Sequence, residues 1–172
     1  MRPGVVVLLG ALVLGTPSAL GQAFVASGRV GLGVALGYPQ AGLSGNIFLT
    51  GTTSLQLDGA LRYHVRNKGR DEYGTGTLGL RADVLFWMRP LATGRVAVLR
   101  WYLGPGVNVG LGLGKDRGFT LGVELPVGLV VGFQRAPVEV SLELVPVLAL
   151  VTPSSVELGI AFAGALHARY YF

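Results

Sequence analysis

His64 and His167 are the only histidines of the chain. A histidine beside a hydroxyl and a carboxylate is the minimum set for nucleophilic acyl transfer, because imidazole takes the hydroxyl proton and the carboxylate orients the ring. Asp71 and Glu72 follow His64 in a polar stretch, and Ser154 and Ser155 stand on another connection. No spacing ties these residues together, and neighbouring serines are ordinary turn formers. The plainer reading of either histidine is a member of a polar network. Glu124, Glu139, Glu143 and Glu157 are of the type used in acid catalysis or calcium binding. Arginines nearly match the acids in number, which favours structural pairing instead. The glycine-rich run Gly106 to Lys115 ends like a phosphate loop, but Asp116 occupies the place of the required Ser or Thr, and the run reads as a strand. There is no cysteine, so disulfides, thiolate metal sites and a cysteine nucleophile are excluded. The sequence thus offers no catalytic set, no metal site and no cofactor motif.

The elements that carry these residues alternate with a period of two. From Gly164 to Phe172, one face holds Gly164, Leu166, Ala168, Tyr170 and Phe172, and the other Ala165, His167, Arg169 and Tyr171. That period belongs to a strand with two different faces. The pattern predicts eight strands: about Ser27–Gly37, Leu43–Thr50, Ser54–Val65, Gly76–Met88, Arg95–Leu113, Phe119–Phe133, a seventh from Val138, and Ser155–Phe172. Arg66 to Gly74 and Gly114 to Gly118 read as polar loops. Pro105, Pro126 and Pro146 conflict with a closed ladder, because a barrel has no free edge; a bulge beside Gly104 and Gly106 would absorb one of them.

The chain is 51% hydrophobic and 13% charged, with 28 glycines among 172 residues. No mature segment is a long enough apolar run for a membrane-crossing helix. The more polar face of each strand is rich in Gly and Ala, which suits a narrow lumen rather than a wetted surface. The charges follow that face. Arg29, Asp58, Arg62, Arg81, Asp83, Arg100, Glu124, Glu139, Glu143, Glu157 and Arg169 are expected to point inward as a paired network, with Leu85 interrupting the polar side. Although the net charge is +5, the arginines fall singly on separate strands, so no nucleic-acid partner is expected. The fold predicted is all-β, an eight-stranded antiparallel up-and-down transmembrane barrel over residues 22–172. Residues 1–21 read as a cleavable signal peptide: Met1-Arg2, an apolar run from Val5 to Leu14, and Ala19-Leu20-Gly21 before a cut at Gln22.

With these strands, this leader and the terminal Ala168-Arg169-Tyr170-Tyr171-Phe172, the mature chain resembles the small eight-stranded outer-membrane β-barrel proteins, the OmpA-type transmembrane barrel in particular. The resemblance implies a bacterial outer-membrane location and contact with outer-membrane lipid and lipopolysaccharide. It also implies a monomer, and an assembly signal at Tyr170 and Phe172 read by the barrel-assembly machinery. It implies a structural or surface-interaction role rather than catalysis. Members of that family also form narrow pores, bind lipid or modify lipid A; here the last activity would draw on His64.

Overall fold

The computed structural model describes residues 29–38, 41–68, 71–113, 118–151 and 159–172, with only the backbone of residues 38, 62–68, 71–75 and 149–151. The expected signal peptide lies outside the described residues. Eleven strands form in order: β1 (Val30–Tyr38), β2 (Ala41–Phe48), β3 (Thr53–Lys68), β4 (Asp71–Trp87), β5 (Ala92–Thr93), β6 (Ala97–Leu103), β7 (Gly106–Leu113), β8 (Phe119–Glu124), β9 (Val127–Phe133), β10 (Val138–Val151) and β11 (Gly159–Tyr171). β6 and β7 are two halves of one wall strand, as are β8 and β9, and β5 is a two-residue extension paired to β6. Eight antiparallel wall strands therefore run in sequence order, and β1 closes the barrel on β11 from Gly31 opposite Tyr171 to Tyr38 opposite Gly164. Closure leaves the eight wall strands no free edge, so each of them pairs on both sides. Val30, where the wall begins, and Tyr171, where it ends, lie at one end of the barrel, here the terminal end; the other is the loop end.

The alternation read from the sequence sets the two faces. Leu32, Leu57, Leu80, Leu129 and Leu142 are exposed on the outside, whereas Gln56, Asp83, Tyr102, Glu139 and Arg169 are buried inside. Lumen glycines make room at particular points. A Cβ on Gly106 would collide with Asp83 Oδ1, and one on Gly128 would collide with the Tyr102 ring.

One expectation changes. The stretch from Arg66 to Gly74, expected as a loop, is mostly strand: β3 and β4 continue pairing to Asn67 opposite Glu72 and Lys68 opposite Asp71. Polar residues on both faces hide the period of two without preventing backbone pairing. Leu85 and Trp87 lie on the inward face, where the alternation of β4 places them, and join Phe48, Tyr102, Val130 and Tyr171 in one buried apolar cluster.

The three prolines line up across neighbouring strands. Val84 N–H donates to Pro105 C=O (3.0 Å), Gly104 N–H to Pro126 C=O (3.2 Å) and Leu125 N–H to Pro146 C=O (3.1 Å). In a hydrogen-bonded antiparallel pair the second bond runs the other way, and proline has no N–H to give it. Each proline thus accepts one bond and returns none, at one level across β4, β6–β7, β8–β9 and β10. This halves the pairing at Gly104-Pro105 and Leu125-Pro126, where the two wall strands break. Pro146 leaves β10 whole because it stays in register with Phe162 of β11.

Candidate functional site

The chemistry-bearing residues converge at mid-lumen. Neighbouring strands supply some pairs directly: Asp58 stands opposite Arg81, and Glu139 opposite Arg169. Other contacts cross the lumen. Arg81 reaches Glu124 Oε1 at 2.6 Å through Nε, Asp83 Oδ2 and Glu143 Oε2 at 2.8 Å each through Nη2, and Asp58 Oδ2 at 3.5 Å through Nη1. One guanidinium therefore gathers carboxylates from β3, β4, β8 and β10. Its planar fork of five donors suits that task, which a lysine ammonium could not perform in the same geometry. Asn108 Nδ2 donates to the second oxygen of Glu124 at 2.7 Å.

Arg169 centres the second half of the network. It donates to Glu139 Oε1 at 2.9 Å, Ser44 Oγ at 2.8 Å and Gln56 Oε1 at 2.6 Å. Gln56 joins the halves, because its amide nitrogen donates to Asp58 Oδ2 at 2.9 Å and Glu143 Oε1 at 3.0 Å. The Tyr102 hydroxyl donates to the same Glu143 oxygen. Both amide hydrogens and the carbonyl of a wholly buried glutamine are thus employed.

Toward the terminal end an aromatic layer lies inside the barrel. Phe48 and Trp87 ring centroids lie 5.1 Å apart, Trp87 and Tyr102 5.0 Å, and Phe48 and Tyr171 5.9 Å. These tilted rings sit at separations typical of favourable aromatic pairs. Trp87 Nε1 donates to Ser54 Oγ at 2.8 Å, and Asn46 Nδ2 donates to the Tyr171 hydroxyl at 2.9 Å. The Arg100 guanidinium carbon lies 5.2 Å from the Trp87 ring centroid, within cation–π range. Toward the loop end many of the described lumen positions are small, among them Gly110 and Gly112 on β7 and Ala161, Ala163 and Ala165 on β11, beside Val145 and Val147 on β10.

Of the residues expected in the network, Asp58, Arg81, Asp83, Glu124, Glu139, Glu143 and Arg169 meet through these contacts. Arg100 is buried beside them, against Trp87. Arg29 is different: it precedes β1 and is exposed at the terminal end. Its period-two position points inward only while the wall continues, and the wall begins at Val30. Arg62 lies on β3 with its side chain outside the described residues, as does His64, and Glu157 lies outside them altogether. Tyr170 and Phe172 face outward with ring centroids 5.0 Å apart. Ser44, Gln56, Asn108 and Tyr102 were missing from the expected set. Their signal was available, since uncharged polar residues at inward positions need partners as charges do.

His167 stands between Ser141 Oγ, 3.4 Å from Nδ1, and Asp58 Oδ2, 3.4 Å from Nε2. The order hydroxyl–imidazole–carboxylate is that of an acyl-transfer triad. Ser141 and His167 are 1% and 0% exposed, so the hydroxyl and the ring are enclosed by protein in this arrangement. Among the described residues no cluster of His, Asp and Glu is arranged to hold a metal ion. The chain matches no protein-family model, no curated protein and no solved structure.

Proposed function

We propose that this protein is an integral barrel of the bacterial outer membrane, with a lumen sealed by its own side chains and a structural or surface-interaction role without catalysis. One observation carries the reading: the molecule is inverted relative to a water-soluble protein. Leu32, Leu129 and Leu142 are 56%, 49% and 60% exposed, while Arg169, Glu139 and Asp83 are 1%, 0% and 0% exposed. A continuous apolar outer face is unfavourable in water and favourable in hydrocarbon. A closed ladder is the one strand arrangement that crosses a bilayer without unpaired backbone.

The interior favours a seal over a pore. Arg81 and Gln56 bridge opposite walls, and the aromatic layer lies beneath them. Residues 1–21 act in this reading as an export signal. Tyr170 and Phe172 present their rings for barrel assembly, and the partners are outer-membrane lipid and lipopolysaccharide around a monomer.

Two measurements test this together. The mature chain is expected to need detergent or lipid to remain folded and monomeric, and to give no steady single-channel steps in a planar bilayer. A folded monomer in plain buffer would refute the membrane reading. Reproducible conductance steps would refute the sealed lumen and leave a narrow pore in its place.

A further inference from the structure

The outer face is not uniformly convex. A hollow of about 520 Å³ opens on the outside over β6, β9 and β10, lined by Leu91, Trp101, Val127, Leu129, Leu142 and Leu144. The connections at the terminal end of these same strands are basic. Arg95 lies two residues before β6 begins and Arg135 in the turn from β9 to β10, neighbours because Gln134 N–H donates to Val96 C=O (2.9 Å). Both are exposed, and residues 49–52, 88–96 and 134–137, the connections at this end, contain no acidic side chain. We propose that the hollow and these arginines form a binding site for an anionic phospholipid, with its phosphate on the arginines and one acyl chain in the hollow. The proposal rests on the bilayer reading above and names one lipid class within it.

The dimensions agree. Trp101 is six residues from Arg95, and Leu129 six from Arg135. At about 3.3 Å per residue this is about 20 Å along the strand. A strand tilt of about 40° reduces it to about 15 Å along the barrel axis, half of a hydrocarbon layer about 30 Å thick. A phosphate at the arginines therefore places the end of its own acyl chain at the hollow. Guanidinium groups bind phosphate through paired hydrogen bonds. A second copy of the chain is the poorer occupant. A two-fold contact through this patch would set two arginines against two arginines, and two convex walls leave a hollow unfilled.

Trp87 and Trp101 are the two tryptophans of the chain, one in the lumen and one in the hollow. The Trp87→Phe variant, reconstituted in phosphatidylcholine vesicles, reports quenching of Trp101 as lipid with brominated chains is added. Brominated phosphatidylglycerol is expected to reach half-maximal quenching at a mole fraction at least about fivefold lower than brominated phosphatidylcholine, the scale of one basic side chain at an anionic surface. Arg95→Gln and Arg135→Gln together should close that gap. Equal mole fractions for the two headgroups would overturn the site, leaving only ordinary hydrocarbon contact. A gap that survives the double substitution would overturn the role of the arginines. No quenching by either lipid would instead remove the bilayer reading and the site with it. If Trp87→Phe does not fold, the difference between the native protein and Trp101→Phe gives the same signal.

Discussion

Arg81 and Glu143 meet at 2.8 Å in the middle of the barrel, although they stand on β4 and β10, which do not pair. The contact joins opposite walls, and Arg81 also carries the charge of Asp58, Asp83 and Glu124. Arg81→Ala would leave these carboxylates facing each other with no cation at their centre. A loss of about 3–5 kcal/mol is expected, read as a lower denaturant midpoint for the refolded barrel in micelles. Glu143→Gln should cost much less, because the remaining acids still pair with Arg81. Combining the two should fall clearly short of additive, as expected for groups in one network. Additive losses would show that the cross-lumen contact is not a unit.

The glycines of the lumen are not equivalent. A methyl group on Gly106 meets the Asp83 carboxylate, whereas one on Gly110 finds nothing nearer than 3.7 Å. Gly106→Ala should therefore destabilise the barrel by about 1–3 kcal/mol, the usual range for overpacking. Gly110→Ala should be neutral or slightly stabilising through the reduced freedom of the unfolded chain. Equal midpoints for the two variants would contradict the packing described.

Pro146→Ala supplies an N–H facing Leu125, whose own N–H already donates to residue 146. The reciprocal bond should form and add about 0.5–1.5 kcal/mol. Hydrogen exchange gives the decisive readout: the new amide at position 146 should be protected to the level of its neighbours in β10. Rapid exchange at that amide would mean that the proline line is spaced too widely to close.

Leu142, 60% exposed on the outer wall, separates the two solvents the barrel could face. In a bilayer, Leu142→Arg should cost about 2–4 kcal/mol if the site is near the midplane. Against water the same change would be close to neutral. Refolding equilibria into lipid vesicles, compared between the native chain and the variant, measure the difference.

The strands were legible because their signal is local. Val123, Leu125, Val127, Leu129 and Val131 alternate with smaller or polar neighbours within one short segment, and a period of two requires no knowledge of what lies across the barrel. The sidedness of Asp58, Arg81, Glu139 and Arg169 followed from the same count. Where both faces turned polar, as from Arg66 to Gly74, that signal vanished while the backbone pairing continued. Pro105, Pro126 and Pro146 stood out as anomalies in the sequence, yet their side-by-side alignment depends on the stagger between strands.

By itself, then, the chain's order of residues determined an antiparallel eight-stranded wall, the face of each strand that carries charge, and the absence of cysteine chemistry. Tertiary structure alone decided that Arg81 reaches Glu143, that Gln56 links the two arginine centres, and that Leu85 and Trp87 cluster with Phe48 and Tyr171. The reason is physical. Alternation is a property of one strand, but contact across a lumen depends on barrel diameter and shear, which all strands set together.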